Sequence, residues 1–186
     1  MASHLARRDG LTRSRRVTGS DLSPILLRRA ARDGLSVAIV GGSHGAGETV
    51  RALYESSCSN TILVEPVPRA EFDDPARRER LVARLVAASP HLIFIGLGVP
   101  KQEVLALDLC KAGSTSIILC VGAAIDFLAG THRRAPLLVQ RLGLEWAYRI
   151  LQEPRRLLAR YLRAAPFYLI LAVKEVFGVK RRGLQR

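Results

Sequence analysis

The chain has 186 residues, 48% of them hydrophobic, with 29 Lys+Arg against 16 Asp+Glu and a net charge of +13. So much apolar content excludes a disordered chain, and the length suits one α/β domain or one domain with a tail. Cys58, Cys110 and Cys120 lack C-x-x-C spacing and are too few for a disulfide framework, which leaves a reducing, cytoplasmic setting as the expectation.

The charge is unevenly placed. Residues 1–33 carry 8 basic and 3 acidic groups, residues 34–131 carry 8 and 10, and residues 132–186 carry 13 and 3. A near-neutral middle with a basic end predicts a polyanionic partner, whether nucleic acid, anionic membrane or phosphates. No early apolar run follows the N-terminal arginines, so a secretory leader is not expected.

In chain order, Ser23-Pro24 reads as cap and first turn of a short helix that Gly34 ends. Residues 35–42 form a β-rich run closed by Gly41-Gly42, residues 48–55 a helix, and residues 61–65 a second strand. Asp74-Pro75 opens a helix through Ala88, with Leu81 and Leu85 on one face and arginines on the other. His91 to Gly98 is a third strand, residues 102–111 a helix and residues 115–122 a fourth strand. Strands alternating with helices, each strand a nearly continuous apolar run, predict a parallel sheet covered on both faces. Ligands in such sheets bind beyond the carboxyl ends of the strands. Past Gly130 three short helices are expected, over 137–142, 144–151 and 154–162. The apolar decad 164–173 follows, too short for a span that needs about 20 residues. Flanked by arginines and by Lys180-Arg181-Arg182, it reads as an interfacial segment.

Three stretches carry candidate chemistry. Gly41-Gly42-Ser43-His44-Gly45-Ala46-Gly47 is a strand-to-helix turn whose amides suit a phosphate, or else a plain tight turn. It matches neither G-x-x-x-x-G-K-[ST] nor G-x-G-x-x-G. Glu65 ends the next strand, about where a ribose-binding carboxylate would sit. Gly96-Leu97-Gly98-Val99-Pro100-Lys101-Gln102-Glu103 crowds three polar side chains at a strand's carboxyl end, although Gln and Glu are also ordinary in a helix's first turn. Asp126, the one acidic residue between Asp108 and Glu145, suits ribose or sugar hydroxyls, or equally a salt bridge to Arg133 or Arg134. The scattered histidines define no metal site, and no Ser/His/Asp or Cys/His arrangement is evident. Beyond residue 132 the arginines are dense, and a planar guanidinium matches diphosphate oxygens. On a helix Arg149 would pair with Glu145, and Arg156 and Arg160 would share a face. Few aromatics accompany them, which argues against nucleic acid.

Gly-x-Gly-x-Pro-Lys-Gln-Glu, Val-Gly-Ala-Ala-Ile-Asp-Phe-Leu-Ala-Gly, Arg-Arg-Ala-Pro, Gly-Leu-Glu-Trp-Ala-Tyr-Arg and Gln-Glu-Pro-Arg-Arg-Leu-x-x-Arg-Tyr occur here in one order. That order resembles the WecG/TagA/CpsF family of bacterial glycosyltransferases, from about Arg16 to Tyr161. The resemblance implies a Rossmann-like α/β core and an inverting transfer of a hexose or N-acetylhexosamine, of the N-acetylmannosamine type, from a UDP-sugar. The implied acceptor is a polyprenyl-diphosphate-linked sugar at the inner face of the plasma membrane, in cell-envelope polysaccharide or teichoic acid synthesis, with no metal or other cofactor. Carried over, Gln102 falls at an active-site glutamine. Arg16, Gly41, Gly42, Gly98, Pro100, Lys101, Gln102, Glu103 and Asp126 form the expected substrate site, and Arg134, Arg149, Arg155, Arg156 and Arg160 face lipid diphosphate or membrane. The family's Thr-x-Asn and Asp-Gly motifs, the latter holding its proposed base, have no counterpart in residues 1–15. The expectation is therefore an N-terminally truncated member. It would comprise a basic remnant over 1–22, a nucleotide-sugar core over 23–131 and a basic helical, membrane-proximal appendage over 132–186. An inactive binding homologue is the alternative, and self-association is left open.

Overall fold

The computed structural model describes residues 17–55, 62–67, 71–132, 136, 139 and 145–152. The chain divides into two compact units, 1–133 and 134–186, and all the described strands lie in the first. Its elements are α1 (Gly19–Arg32), β1 (Val37–Gly41), α2 (Ala46–Glu55), β2 (Ile62–Glu65), a 3-10 turn (Glu71–Asp73), α3 (Pro75–Ala88), β3 (Leu92–Gly96), α4 (Lys101–Lys111), β4 (Ile117–Cys120) and α5 (Ala124–Leu128). In the second unit α6 spans Glu145–Gln152, shifted by one residue from the helix expected over 144–151. The helices expected over 137–142 and 154–162, and the decad 164–173, lie outside the described residues.

The four strands form one parallel sheet in the order β2-β1-β3-β4. Side chains alternate across a strand, so each strand feeds two cores. Ala38, Val40, Ile93 and Ile95 meet Leu81 and Leu85 of α3 and Leu105 and Leu109 of α4 on one face. Val37, Ile39, Leu92 and Phe94 meet Leu27 of α1, Val50 of α2 and Ile125 of α5 on the other. This is an α/β, Rossmann-like arrangement with helices on both faces. Every residue of β1 and β3 is buried, which is why those segments read as unbroken apolar runs. β4 is different. It pairs only with β3 among the described residues, and Ile117 is 63% exposed, so its apolar run belongs to a half-covered edge.

The helices depart most from the sequence reading at α1 and α5. α1 starts four residues before Ser23, because Thr18 and Asp21 form a reciprocal cap: Asp21 N–H donates to Thr18 Oγ1 (3.3 Å) and Thr18 N–H to Asp21 Oδ2 (3.2 Å). Pro24 thus sits inside the helix, where it has no N–H to offer the Ser20 carbonyl. Ser23 is not a cap; its hydroxyl donates back to the Gly19 carbonyl at 2.7 Å. α5 was not anticipated at all. The chain leaves β4 at Cys120, turns at Gly122 and re-enters a helix within two residues. By contrast α3 begins as read, with Asp74 Oδ1 accepting from the Ala76 and Arg77 amides.

Leu85 is fully buried between α3 and the sheet. Leu85→Ala should lower the unfolding free energy by about 2–5 kcal/mol, read from urea denaturation, since a cavity replaces its packing.

Candidate active site

β1 turns back through α2 to β2 on one side, and the next crossover carries the chain past β1 to β3 on the other. The order therefore reverses between β1 and β3, and the crevice beyond their carboxyl ends is the expected ligand position in such a sheet. Gly41 lies opposite Gly96 in the register, and the Gly42 amide donates to the Gly96 carbonyl at 3.3 Å. A Cβ on Gly96 would come within 2.6 Å of Ile125 Cδ1 and 3.0 Å of the Gly122 carbonyl oxygen, so only glycine lets the three strand-end loops meet. A cavity of about 260 Å³ opens at the ends of β1 and β2, lined by Gly41, Gly42, His44, Glu48, Val64 and Val67 among others.

Two nearly buried polar side chains lace these loops together. Asp126 is 4% exposed, and its Oδ1 accepts from the Ser43 amide at 2.6 Å, joining α5 to the glycine turn after β1. Ser43 Oγ donates in turn to Thr131 Oγ1 at 3.2 Å. Gln102 is 7% exposed; its Oε1 accepts from the Gly122 amide at 3.1 Å, joining α4 to the loop after β4. Its Nε2 donates to Glu103 Oε1 at 2.8 Å. Both ends of the Gln102 amide are engaged, and the glutamine orients the Glu103 carboxylate and the β4 exit at once.

The expected site residues are thus only partly convergent. Gly41, Gly42 and Asp126 share the glycine-turn end of the crevice; Gln102 ties the start of α4 to the β4 exit, and Glu103 is bonded to Gln102. Gly98, with φ of +77°, and Pro100, after a cis peptide, shape the turn into α4. Lys101 diverges from its neighbours: Nζ donates to Asp73 Oδ2 at 2.7 Å and lies 5.9 Å from the Phe72 ring centroid. Glu65 is also committed elsewhere, accepting from Arg84 Nε (2.9 Å) and Nη2 (2.8 Å) rather than standing free for a ribose. Arg16, Arg134, Arg155, Arg156 and Arg160, the side chain of Arg149, and the Arg133 alternative for Asp126 lie outside the described residues. Thr131 was missed, and so were the hydrogen-bonding roles of Ser43 and Gly122. They act through a backbone amide or a small hydroxyl, and no spacing in the chain marks such partners. Among the described residues no three His, Cys, Asp or Glu side chains gather as metal ligands, and no helix is long and apolar enough to cross a membrane.

A glycine turn feeding a helix, a buried aspartate and a buried glutamine meet at the switch point of a parallel sheet, where such folds bind their ligands. Comparison with known families decides the matter: the family model of the glycosyl transferase WecG/TagA/CpsF family matches residues 1–182. The chain belongs to that family. The match takes in the strand-end loops of this glycosyltransferase and its arginine-dense C-terminal segment alike.

Removing the Asp126 carboxylate leaves the Ser43 amide without its acceptor. Asp126→Ala should cost about 1–3 kcal/mol in urea unfolding, whereas Asp126→Asn, whose amide oxygen still accepts, should cost clearly less. Burial pushes the Cys120 thiol up, and the negative Glu103 side chain pushes it the same way. Iodoacetamide alkylation of Cys120, followed by peptide mass spectrometry against pH, should therefore have its midpoint above the ordinary range of about 8–9. Glu103→Gln should move that midpoint back down, since the thiolate then forms beside a neutral neighbour.

Proposed function

We propose that this chain is an inverting glycosyltransferase that moves a hexose or N-acetylhexosamine, of the N-acetylmannosamine type, from a UDP-sugar to a polyprenyl-diphosphate-linked sugar. Its place is the inner face of the plasma membrane, in cell-envelope polysaccharide or teichoic acid synthesis. The observation that carries the reading is the laced crevice at the β1/β3 switch point, where Asp126 holds the glycine turn and Gln102 holds the β4 exit, in a chain of a glycosyltransferase family. The amides of the turn that leads into α2 suit the donor's diphosphate, because a helix N-terminus favours negative charge. In the transfer the acceptor oxygen bonds to the anomeric carbon, the bond from that carbon to the diphosphate oxygen breaks, and UDP leaves with the electron pair. The acceptor proton goes to a base, a step worth about 10²–10⁴-fold. Asp126 and Glu103 are the carboxylates bonded into the loop network. The basic segment 132–186 and the apolar decad 164–173 supply the two signals that together hold a protein on an anionic bilayer.

A second reading, binding of the same ligands without transfer, draws on the fact that both carboxylates already accept hydrogen bonds, Asp126 from Ser43 and Glu103 from Gln102. One experiment separates the two. Labelled UDP-sugars are offered with a polyprenyl-diphosphate-linked acceptor in anionic vesicles, and UDP binding is titrated in parallel. Transfer is expected, with the base variant among Glu103→Gln and Asp126→Asn slowed about 10²–10⁴-fold. Deleting residues 164–186 should abolish flotation with the vesicles and preserve UDP binding. UDP binding with no transfer from any donor favours the second reading, and loss of both overturns the proposal.

A further inference from the structure

Ser43 is held at every polar atom. Its amide donates to Asp126 Oδ1 at 2.6 Å, its carbonyl accepts from the Ala46 amide at 3.0 Å, and its hydroxyl lies 3.2 Å from Thr131 Oγ1. Thr131 is tied in turn to the residue that grips Ser43. Its amide and its hydroxyl both reach the Asp126 carbonyl, each at 3.0 Å. One residue of α5 thus holds the glycine turn through its side chain and the segment after Gly130 through its backbone. The Ser43 and Thr131 hydroxyls close the ring between them.

The direction of each hydroxyl follows by elimination. A hydroxyl has one proton to give and two lone pairs with which to accept. A carbonyl only accepts, so at the Asp126 carbonyl Thr131 is the donor. His132 Nδ1 stands 3.5 Å from the same Thr131 oxygen, so the carbonyl at 3.0 Å is the nearer acceptor. The Thr131 proton is therefore committed, and toward Ser43 the threonine only accepts. Ser43 gives its own proton to Thr131. What remains on Ser43 Oγ is lone pairs, and Ser43 lines the cavity at the ends of β1 and β2. A phosphate oxygen, which only accepts, finds no donor on that side chain, whereas a ligand hydroxyl finds an acceptor. Glu65, the acid at the end of β2 where a ribose hydroxyl is expected to bond, is already taken by Arg84.

On the reading of the crevice as a UDP-sugar site, we infer that Ser43 determines specificity there and that Thr131 is its positioning residue. Thr131 turns the Ser43 hydroxyl so that its oxygen accepts a hydrogen bond from a hydroxyl of the sugar nucleotide. Ribose and the transferred sugar both carry such hydroxyls. Without the Thr131 oxygen the Ser43 proton is free to swing toward the cavity, and the preference for a ligand donor goes with it.

Calorimetry on the full chain compares UDP with 2′-deoxy-UDP and 3′-deoxy-UDP, and UDP-N-acetylmannosamine with analogues that lack one sugar hydroxyl. Wild type should bind one analogue about fivefold more weakly than its parent, the usual size of a single neutral hydrogen bond. A loss in the first series assigns a ribose hydroxyl, and a loss in the second assigns one on the transferred sugar. Thr131→Val, which keeps the shape and drops the hydroxyl, should remove the preference, and Thr131→Ser should keep it. Ser43→Ala combined with Thr131→Val should discriminate no worse than Ser43→Ala alone, because the threonine acts through the serine. A merely structural threonine would weaken every ligand alike and leave the ratio untouched. Equal affinity across both series overturns the assignment in a wild-type comparison that needs no variant to fold, as does a ratio that Thr131→Val leaves intact. Absence of UDP binding by wild type overturns the UDP-sugar reading and this assignment together.

Discussion

The site depends on how closely the carboxyl ends of β1 and β3 approach. The Gly42 amide reaches the Gly96 carbonyl just past the ladder, and the missing side chain at Gly96 leaves the space that Ile125 and the Gly122 carbonyl fill. Any larger residue there would push α5 outward, and with it Asp126, whose grip on Ser43 shapes the glycine turn. A single contact between two backbones thus fixes where three loops meet. The same approach places Gln102 near enough to the β4 exit to hold the Gly122 amide.

Around that point the polar groups do structural work before any chemistry. Asp126 and Gln102 are both nearly buried; Asp126 satisfies the Ser43 amide, and Gln102 shares the Gly122 amide with the Ile95 carbonyl. Such pairing costs little when made and much when lost, because a buried amide with no partner forfeits its hydration. The crevice is therefore held by two hydrogen-bonded struts rather than by exposed ion pairs. The surface pairs, such as Arg51 with Glu48 and Arg77 with Asp74, are solvated and contribute little to stability.

Positive charge gathers in two neighbouring regions of the first unit, and its origin differs between them. In the glycine turn the positive potential comes from backbone amides and the start of α2, with Gly41, Gly42 and Ser43 facing a cavity that has no arginine among the described residues of its lining. On α3 it comes from side chains, restrained by Glu65, Asp74 and Asp108. Backbone dipoles are fixed in direction by the fold. Guanidinium groups are fixed only as far as their carboxylate partners hold them, which is why the acidic residues of this region belong to the arrangement as much as the arginines.

Much of the first unit was legible in the chain itself. The apolar runs at Val37–Gly41 and Leu92–Gly96 mark strands buried on both faces, the Asp74-Pro75 pair marks the start of α3, and the glycines at the ends of β1, β3 and β4 mark the end of the sheet at which the crevice opens. These features are local: covalent periodicity, a cap and a turn suffice to write them. The strand order, the reciprocal Thr18–Asp21 cap that moved α1 forward, and α5 were not legible in this way. Nor were the partners of the polar residues. Lys101, Gln102 and Glu103 are adjacent in sequence, yet Lys101 goes to Asp73 while Gln102 goes to Gly122, because helical geometry sends neighbouring side chains about 100° apart. Asp126 and Ser43 lie 83 residues apart and meet only because β1 and β3 are neighbours in the sheet. The sequence by itself determined which residues could carry charge, turn a chain or fill a core. Only the tertiary structure decided which amide each buried oxygen would hold, since that depends on which strand ends the sheet brings side by side.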